Sequence, residues 1–338
     1  MTFDETRSEE VQGLAGGGRA RWKRQHVASV LGFAAHLPQR RVDNAELGAA
    51  LGVDPLWITK ACGIEERRYA APGETVVDLA EHAARACLEA CGMQAADLGA
   101  IIVGTGTPPR VFPGVSASLQ QRLGNTRAFA FDLHLASIGG MAALALACDL
   151  TRRMGPVLVV AAEKMSERIQ RHPCKETSIL FGDGAGACLV VPGRGPLRVV
   201  DWQMAGDGSH ADDLCMAWDG PLVMHGRAVT LQAIHQLQET VATLCAKADW
   251  PLASVDLFLF HQANLKLLRH VARGLGLPEA KVFTNIQSRG NTSAASLLIA
   301  AAEAQEQGLL APGRRVVLAA FGAGFAYGSA LLETTFPD

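Results

Sequence analysis

The sequence carries little charge, and the charge it carries is balanced. Charged residues make up 19% of the 338 residues, and 31 basic against 33 acidic side chains leave a net charge of −2. With no basic run interleaved with aromatics, there is no electrostatic case for nucleic-acid binding. No apolar stretch reaches the length of a membrane span free of glycine, proline or charge, and the N-terminus lacks the apolar core of a signal peptide. The expectation is therefore a cytoplasmic protein with no membrane contact. The eight cysteines (Cys62, Cys87, Cys91, Cys148, Cys174, Cys188, Cys215 and Cys245) show no CxxC and no metal-ligand spacing. They read as packing residues in a reducing compartment, and no metal is expected. Cys87 and Cys91 share a helix face, but with no second pair to complete a site the core reading stands.

Alanine, aliphatics and glycine are abundant. That suits an α/β chain whose strands and helices pack closely on both faces of a buried sheet, and 338 residues imply two domains or one large unit with two halves. Residues 1–26 are polar and contain Gly16-Gly17-Gly18, which predicts a loose tail. The pattern then predicts a strand over 27–35, helices over 42–51, 54–62 and 75–91, a strand after Asp97 and a helix over 115–123. A buried strand over 129–135, an Ala-rich helix over 138–150 and a strand over 156–162 follow, and a hairpin over 178–191 closes this half.

The second half repeats that order. Asp256-Leu-Phe-Leu-Phe-His-Gln echoes Asp97-Leu-Gly-Ala-Ile-Ile-Val, and the segment from Leu277 through Asn291-Thr-Ser-Ala-Ala-Ser296 echoes the strand, turn and helix around Ser137. Ala320-Phe-Gly-Ala-Gly echoes Leu180-Phe-Gly-Asp-Gly. Two copies of one βαβαβαββ unit bring strand ends from both halves to a shared cleft, where α/β proteins tend to bind ligands. The expected boundaries are a tail at 1–26, an N-terminal half at 27–195 carrying Ser137, and a C-terminal half at 196–338 carrying His261 and Asn291. Ser137 stands at a strand-to-helix join, which suits either a helix N-cap or a nucleophile facing the helix N-terminus. His134, three residues earlier, is expected to be a hydrogen-bonded core histidine.

His261-Gln-Ala-Asn264, Gly290-Asn-Thr-Ser-Ala-Ala-Ser296, Phe181-Gly-Asp-Gly-Ala-Gly186 and Phe321-Gly-Ala-Gly-Phe resemble the signatures of β-ketoacyl-acyl-carrier-protein synthase III, in the thiolase superfamily. The resemblance runs from about Ala28 to Thr334. It implies a five-layered αβαβα fold of two duplicated halves, a homodimer, and transfer of an acyl group from coenzyme A or a carrier protein to a nucleophile. No cofactor is implied, because the acyl thioester is the substrate. Members carry cysteine where Ser137 stands, and Ile138 and Gly140 depart as well, so the serine reads as natural. A thiol at a helix N-terminus can ionise in the local field, whereas a serine hydroxyl needs a general base. The resemblance makes His261 that base and Asn291 its orienter or an oxyanion donor, and it assigns the oxyanion to the backbone N–H groups of Ser137 and Ala323.

By the same resemblance Trp57 stacks on adenine, Arg168 stands near that ring, and Asn264 contacts a pantetheine arm. Phe112 reaches across the dimer to floor the partner's acyl pocket. Lys266 and Arg269 fit a patch for nucleotide phosphates or an acidic carrier protein, while Ala61, where many members have a second stacking arginine, counts against coenzyme A. Gly206-Asp-Gly-Ser-His210 reads only as a loop. The expected function is acyl transfer through an acyl-Ser137 ester in polyketide or other specialised metabolism. The acceptor is oxygen, nitrogen or sulfur, or the carbanion of malonyl-carrier protein. The alternative is a catalytically silent subunit partnering an active condensing enzyme.

Overall fold

The computed structural model describes residues 27–336, so the tail expected at 1–26 lies outside the described residues. Ten strands build one mixed sheet: β1 (Ala28–His36), β2 (Ala100–Gly104), β3 (Phe129–Leu133), β4 (Val157–Lys164), β5 (Asp183–Pro192), β6 (Leu197–Gly206), β7 (Leu257–Phe260), β8 (Val282–Phe283), β9 (Arg315–Gly322) and β10 (Ala326–Thr334). Their spatial order is β8-β7-β9-β10-β6-β1-β5-β4-β2-β3. Read from either edge inward, each half has the same order. Three strands are parallel in each, and the fourth is antiparallel to both neighbours. The halves join where Ala28–Val30 of β1 pairs with Leu197–Val199 of β6.

The longer helices are α1 (Asn44–Leu51), α2 (Pro55–Cys62), α3 (Val76–Ala90), α4 (Val115–Arg122), α5 (Gly139–Met154), α6 (Gly226–Lys247), α7 (Leu265–Gly274) and α8 (Ser296–Glu306). Strand alternation sorts them into layers, because successive side chains point to opposite faces. On β4, Val157, Val159 and Ala161 join the central core with α5 and α8, while Leu158, Val160 and Ala162 face α3 and α4. On β9, Val316, Leu318 and Ala320 face the same central core, while Val317, Ala319 and Phe321 face α6 and α7. The result is helix, sheet, helix, sheet, helix, the two sheet layers being the two halves of the one sheet on either side of α5 and α8. Small residues make the central layer possible: a Cβ on Gly140 would fall 2.5 Å from Ala294 O, where the two central helix starts cross.

A fourth core lies over the strand ends. Ile58, Ile64, Tyr69, Ile169, Phe181, Leu265 and Ile286 pack there, drawing α2 and the start of α7 to the cleft.

Three expectations change. β9 and β10 form a hairpin across residues 323–325, but residues 165–182 intervene between the antiparallel pair β4 and β5, so the first half closes with an excursion and not a hairpin. β3, expected to be buried, is the edge strand; Phe129 is 58% exposed and its other residues are half-buried. The cysteines divide. Cys62, Cys87, Cys148, Cys188 and Cys245 are buried and Cys91 is half-buried, whereas Cys174 and Cys215 are exposed and do not serve as packing. No helix among the described residues is long and apolar enough to cross a membrane.

Candidate active site

Residues 136–138 form a tight 3-10 turn after β3, and α5 follows with Ile138 at its N-cap position. Ser137 is therefore not the helix cap. Ala136 sits at φ 42°, a left-handed conformation that a β-carbon disfavours, and it turns the chain sharply before Ser137. The second half does the same: Ser293 at φ 47° opens the 3-10 turn 293–295 ahead of α8. The two turns meet. Ser137 Oγ lies 3.5 Å from Ser293 Oγ, and both hydroxyls are buried.

His261 follows the last residue of β7, its N–H donating to Ala319 O at 2.9 Å. Its ring stands edge-on to Phe321 at 5.3 Å between centroids, and Nδ1 lies 2.5 Å from Ser296 Oγ. Burial pushes its pKa down to about 3, so the imidazole is neutral at neutral pH. Asn291 is fixed by its backbone, which donates to Leu180 O at 2.8 Å and accepts from Gly182 N–H at 3.0 Å. Its side-chain oxygen accepts Ser293 N–H at 2.9 Å, which orients the amide. Ala323 occupies the β9–β10 turn. A Cβ on Gly322 would lie 2.7 Å from Ile138 N, so glycine there lets the turn press against the Ser137 segment.

Ser137, His261, Asn291, Ala323 and Asn264 all line one cavity, together with Ser293 and Cys215. Its walls are largely apolar, including Met165, Phe181, Leu214, Met216, Leu267 and Phe321. Such a space suits an alkyl chain ending in a polar, reacting carbonyl. Asn264 caps α7 through Oδ1, which accepts from Lys266 N–H at 2.8 Å, while its Nδ2 donates to Ala61 O at 3.4 Å.

Trp57, Phe112, Arg168 and Lys266 do not line this cavity. Trp57 is 39% exposed on α2, and Lys266 and Arg269 are exposed on α7. Arg168 donates to Trp218 O at 3.0 Å and to Pro108 O at 2.9 Å, and its guanidinium lies 5.2 Å from the centre of the Trp218 ring. Phe112 is 82% exposed. His134, expected in the core, is exposed. The Gly206–His210 loop braces the site: Asp207 exchanges backbone hydrogen bonds with Phe325 at 2.8 and 3.0 Å, holding the turn that carries Ala323.

Three residues at the site were not anticipated from sequence. Ser296 contacts His261. Glu163, at the end of β4, is fully buried and bonded to the Ser293 hydroxyl; it accepts from Thr107 Oγ1 at 2.5 Å, Gly106 N–H at 2.9 Å and Ala294 N–H at 3.3 Å. Burial raises its pKa above the usual carboxylate range. Cys215 is the third, a thiol on the cavity wall.

Residues 131–208 match the family described as 3-oxoacyl-[acyl-carrier-protein (ACP)] synthase III, and residues 245–334 match its C-terminal region. A β-ketoacyl-[acyl-carrier-protein] synthase III of Oleidesulfovibrio alaskensis is 37% identical over 325 residues, covering 90% of this chain and 98% of the relative. The crystal structure of 3-oxoacyl-[acyl-carrier-protein] synthase III from Aquifex aeolicus superimposes with a TM-score of 0.87 at 33% identity, covering 90% of this chain and 99% of that one. The priming β-ketosynthase of the R1128 polyketide biosynthetic pathway gives a TM-score of 0.86 at 31% identity, covering 92% and 97%. With this fold, these matched segments and relatives of this identity over nearly their full length, the chain belongs to the β-ketoacyl-acyl-carrier-protein synthase III family of acyl-transferring condensing enzymes, with the thiolase fold.

Proposed function

We propose that the protein takes an acyl group from an acyl-coenzyme A or acyl-carrier-protein thioester onto Ser137 Oγ and passes it to an acceptor. The observation that carries this reading is that the Ser137 hydroxyl is not spent on helix capping but lines one apolar-walled cavity with His261 and Asn291. In the proposed step, Oγ attacks the thioester carbonyl and its proton passes to His261 Nε2. The tautomer that donates Nδ1–H to Ser296 leaves that nitrogen with a lone pair. The backbone N–H groups of Ser137 and Ala323 hold the oxyanion. Collapse breaks the C–S bond, the leaving sulfur takes the proton from His261, and an ester remains on Ser137.

An ester is less activated than a thioester toward a carbon nucleophile, so the reading favours transfer to oxygen, nitrogen or sulfur, with starter-unit condensation as the other branch. The likeness to a polyketide priming ketosynthase supports a place in specialised metabolism. Trp57, Lys266 and Arg269, exposed beside the Asn264 end of the cavity, serve the nucleotide or carrier protein of the donor. Arg168 and Phe112 act from outside it, Phe112 against the partner's pocket in a homodimer.

The branches separate by incubating the protein with an acyl donor, malonyl-carrier protein and a set of alcohol, amine and thiol acceptors, and measuring carbon dioxide with the product mass. Transfer without carbon dioxide supports the favoured branch. Release of carbon dioxide with a β-ketoacyl product establishes condensation. Neither, with no acyl-enzyme, supports the silent partner subunit.

A further inference from the structure

The end of β1, the loop before α3 and the second turn of α3 bring three metal-ligand side chains together outside the acyl cavity. One ligand atom each from His36, Glu74 and His82 lies within 4.8 Å of the others, and none of the three residues lines that cavity. They come from three separate elements, so no spacing in the sequence marks them.

His36 Nε2 is buried and has no hydrogen-bond partner. It lies 3.8 Å from Glu74 Oε1, and its ring centre is 4.4 Å from that of His82, with the planes tilted by 43°. A buried polar atom without a partner calls for an explanation. The Glu74 carboxylate is already aimed: Oε2 accepts Ala71 N–H at 2.8 Å, which leaves Oε1 on the His36 side. Metal ligands are commonly oriented by such outer hydrogen bonds. A proton shared with Glu74 is the competing explanation for the pair.

Two imidazoles and one carboxylate are a ligand set for a divalent cation of borderline softness, and zinc takes His₂Glu with water in the fourth position. His82 is exposed, which opens the site to that water. We propose that His36, Glu74 and His82 bind one zinc ion that clamps the start of α3 to the end of β1.

The test uses the full chain without an affinity tag, stripped with a chelator, in a background where the exposed thiols are removed (Cys174→Ser, Cys215→Ser). Zinc chloride is titrated calorimetrically, and cobalt(II) is added separately to read its visible d–d absorption. One zinc per chain, an intense tetrahedral cobalt spectrum, and at least a tenfold loss of affinity in both His82→Ala and His36→Gln are expected. Zinc should also raise the Tm of the parent and leave that of His82→Ala unchanged. His82 is exposed on a helix that alanine suits, so this variant decides the matter if His36→Gln fails to fold. The proposal is overturned if the protein without its two exposed thiols shows no saturable one-to-one zinc binding, or if binding survives undiminished in His82→Ala.

Discussion

The imidazole of His261 is held in the cavity wall by a hydroxyl, Ser296 Oγ, and not by a carboxylate. No anion in that contact stabilises an imidazolium, and burial pushes the pKa down to about 3. On the proposed cycle, proton transfer from Ser137 is uphill and the oxyanion donors carry more of the barrier. Stability follows from the same shift. Above pH 6.5 His261 is neutral in both folded and unfolded chains; as pH falls below that, only the unfolded chain takes up the proton, and the folded state loses ground until about pH 3. Between pH 7.5 and 5 this costs about 2 kcal/mol. His261→Asn removes the term, so urea unfolding should show the wild type losing about 2 kcal/mol relative to the variant over that interval; a constant difference would contradict it. Ser137, His261 and Asn291 stood out in the sequence because each sits in a motif, His261 directly after β7 and the other two at the turns that enter the central helices. Ser296 and Glu163 did not, since their role depends on side chains that the fold brings from distant strands, and the sequence around Glu163 reads only as the end of an apolar strand.

At the scale of elements, the site depends on two turns, one from each half, entering two central helices. The left-handed residues Ala136 and Ser293 are counterparts, and the helix starts cross where Gly140 faces Ala294 O. An alanine Cβ at position 140 would meet that carbonyl at 2.5 Å, so backbone must shift. Gly140→Ala should destabilise by about 1–3 kcal/mol and lower acyl transfer, because Ala294 adjoins the Ser293 hydroxyl that faces Ser137. Gly208→Ala, whose Cβ meets nothing within 4 Å, is the control and should change neither. Thermal unfolding and donor turnover measured on both variants check this. The repeat was readable from matched motifs, and the unusual Gly140 gains its reason only from the crossing. The excursion at 165–182 escaped the repeat because its second-half counterpart is a three-residue turn. Arg67 was equally hidden: it is fully buried and donates to Asn44 Oδ1 at 2.7 Å and Ile179 O at 2.9 Å, packed against Gly290 just before Asn291, where sequence alone suggests a solvated arginine.

In the molecule as a whole, β3 leaves one edge of the sheet unpaired among the described residues, with Phe129 exposed on it and Val111 and Phe112 exposed in the loop between β2 and α4. An edge strand of this kind invites pairing with another chain. Sedimentation should therefore give twice the chain mass, and Phe129→Glu should shift the protein toward the monomer; a wild-type monomer at micromolar concentration would contradict the dimer. An acyl ester on Ser137 is read most directly from the intact mass of the protein after incubation with acyl-coenzyme A and acyl-carrier-protein donors. The expected result is an acyl-sized increment that maps to Ser137, is absent from Ser137→Ala, is strongly slowed in His261→Ala and forms faster in Ser137→Cys. A folded protein that gains no increment from any donor, or gains it at Cys215 instead, would contradict it.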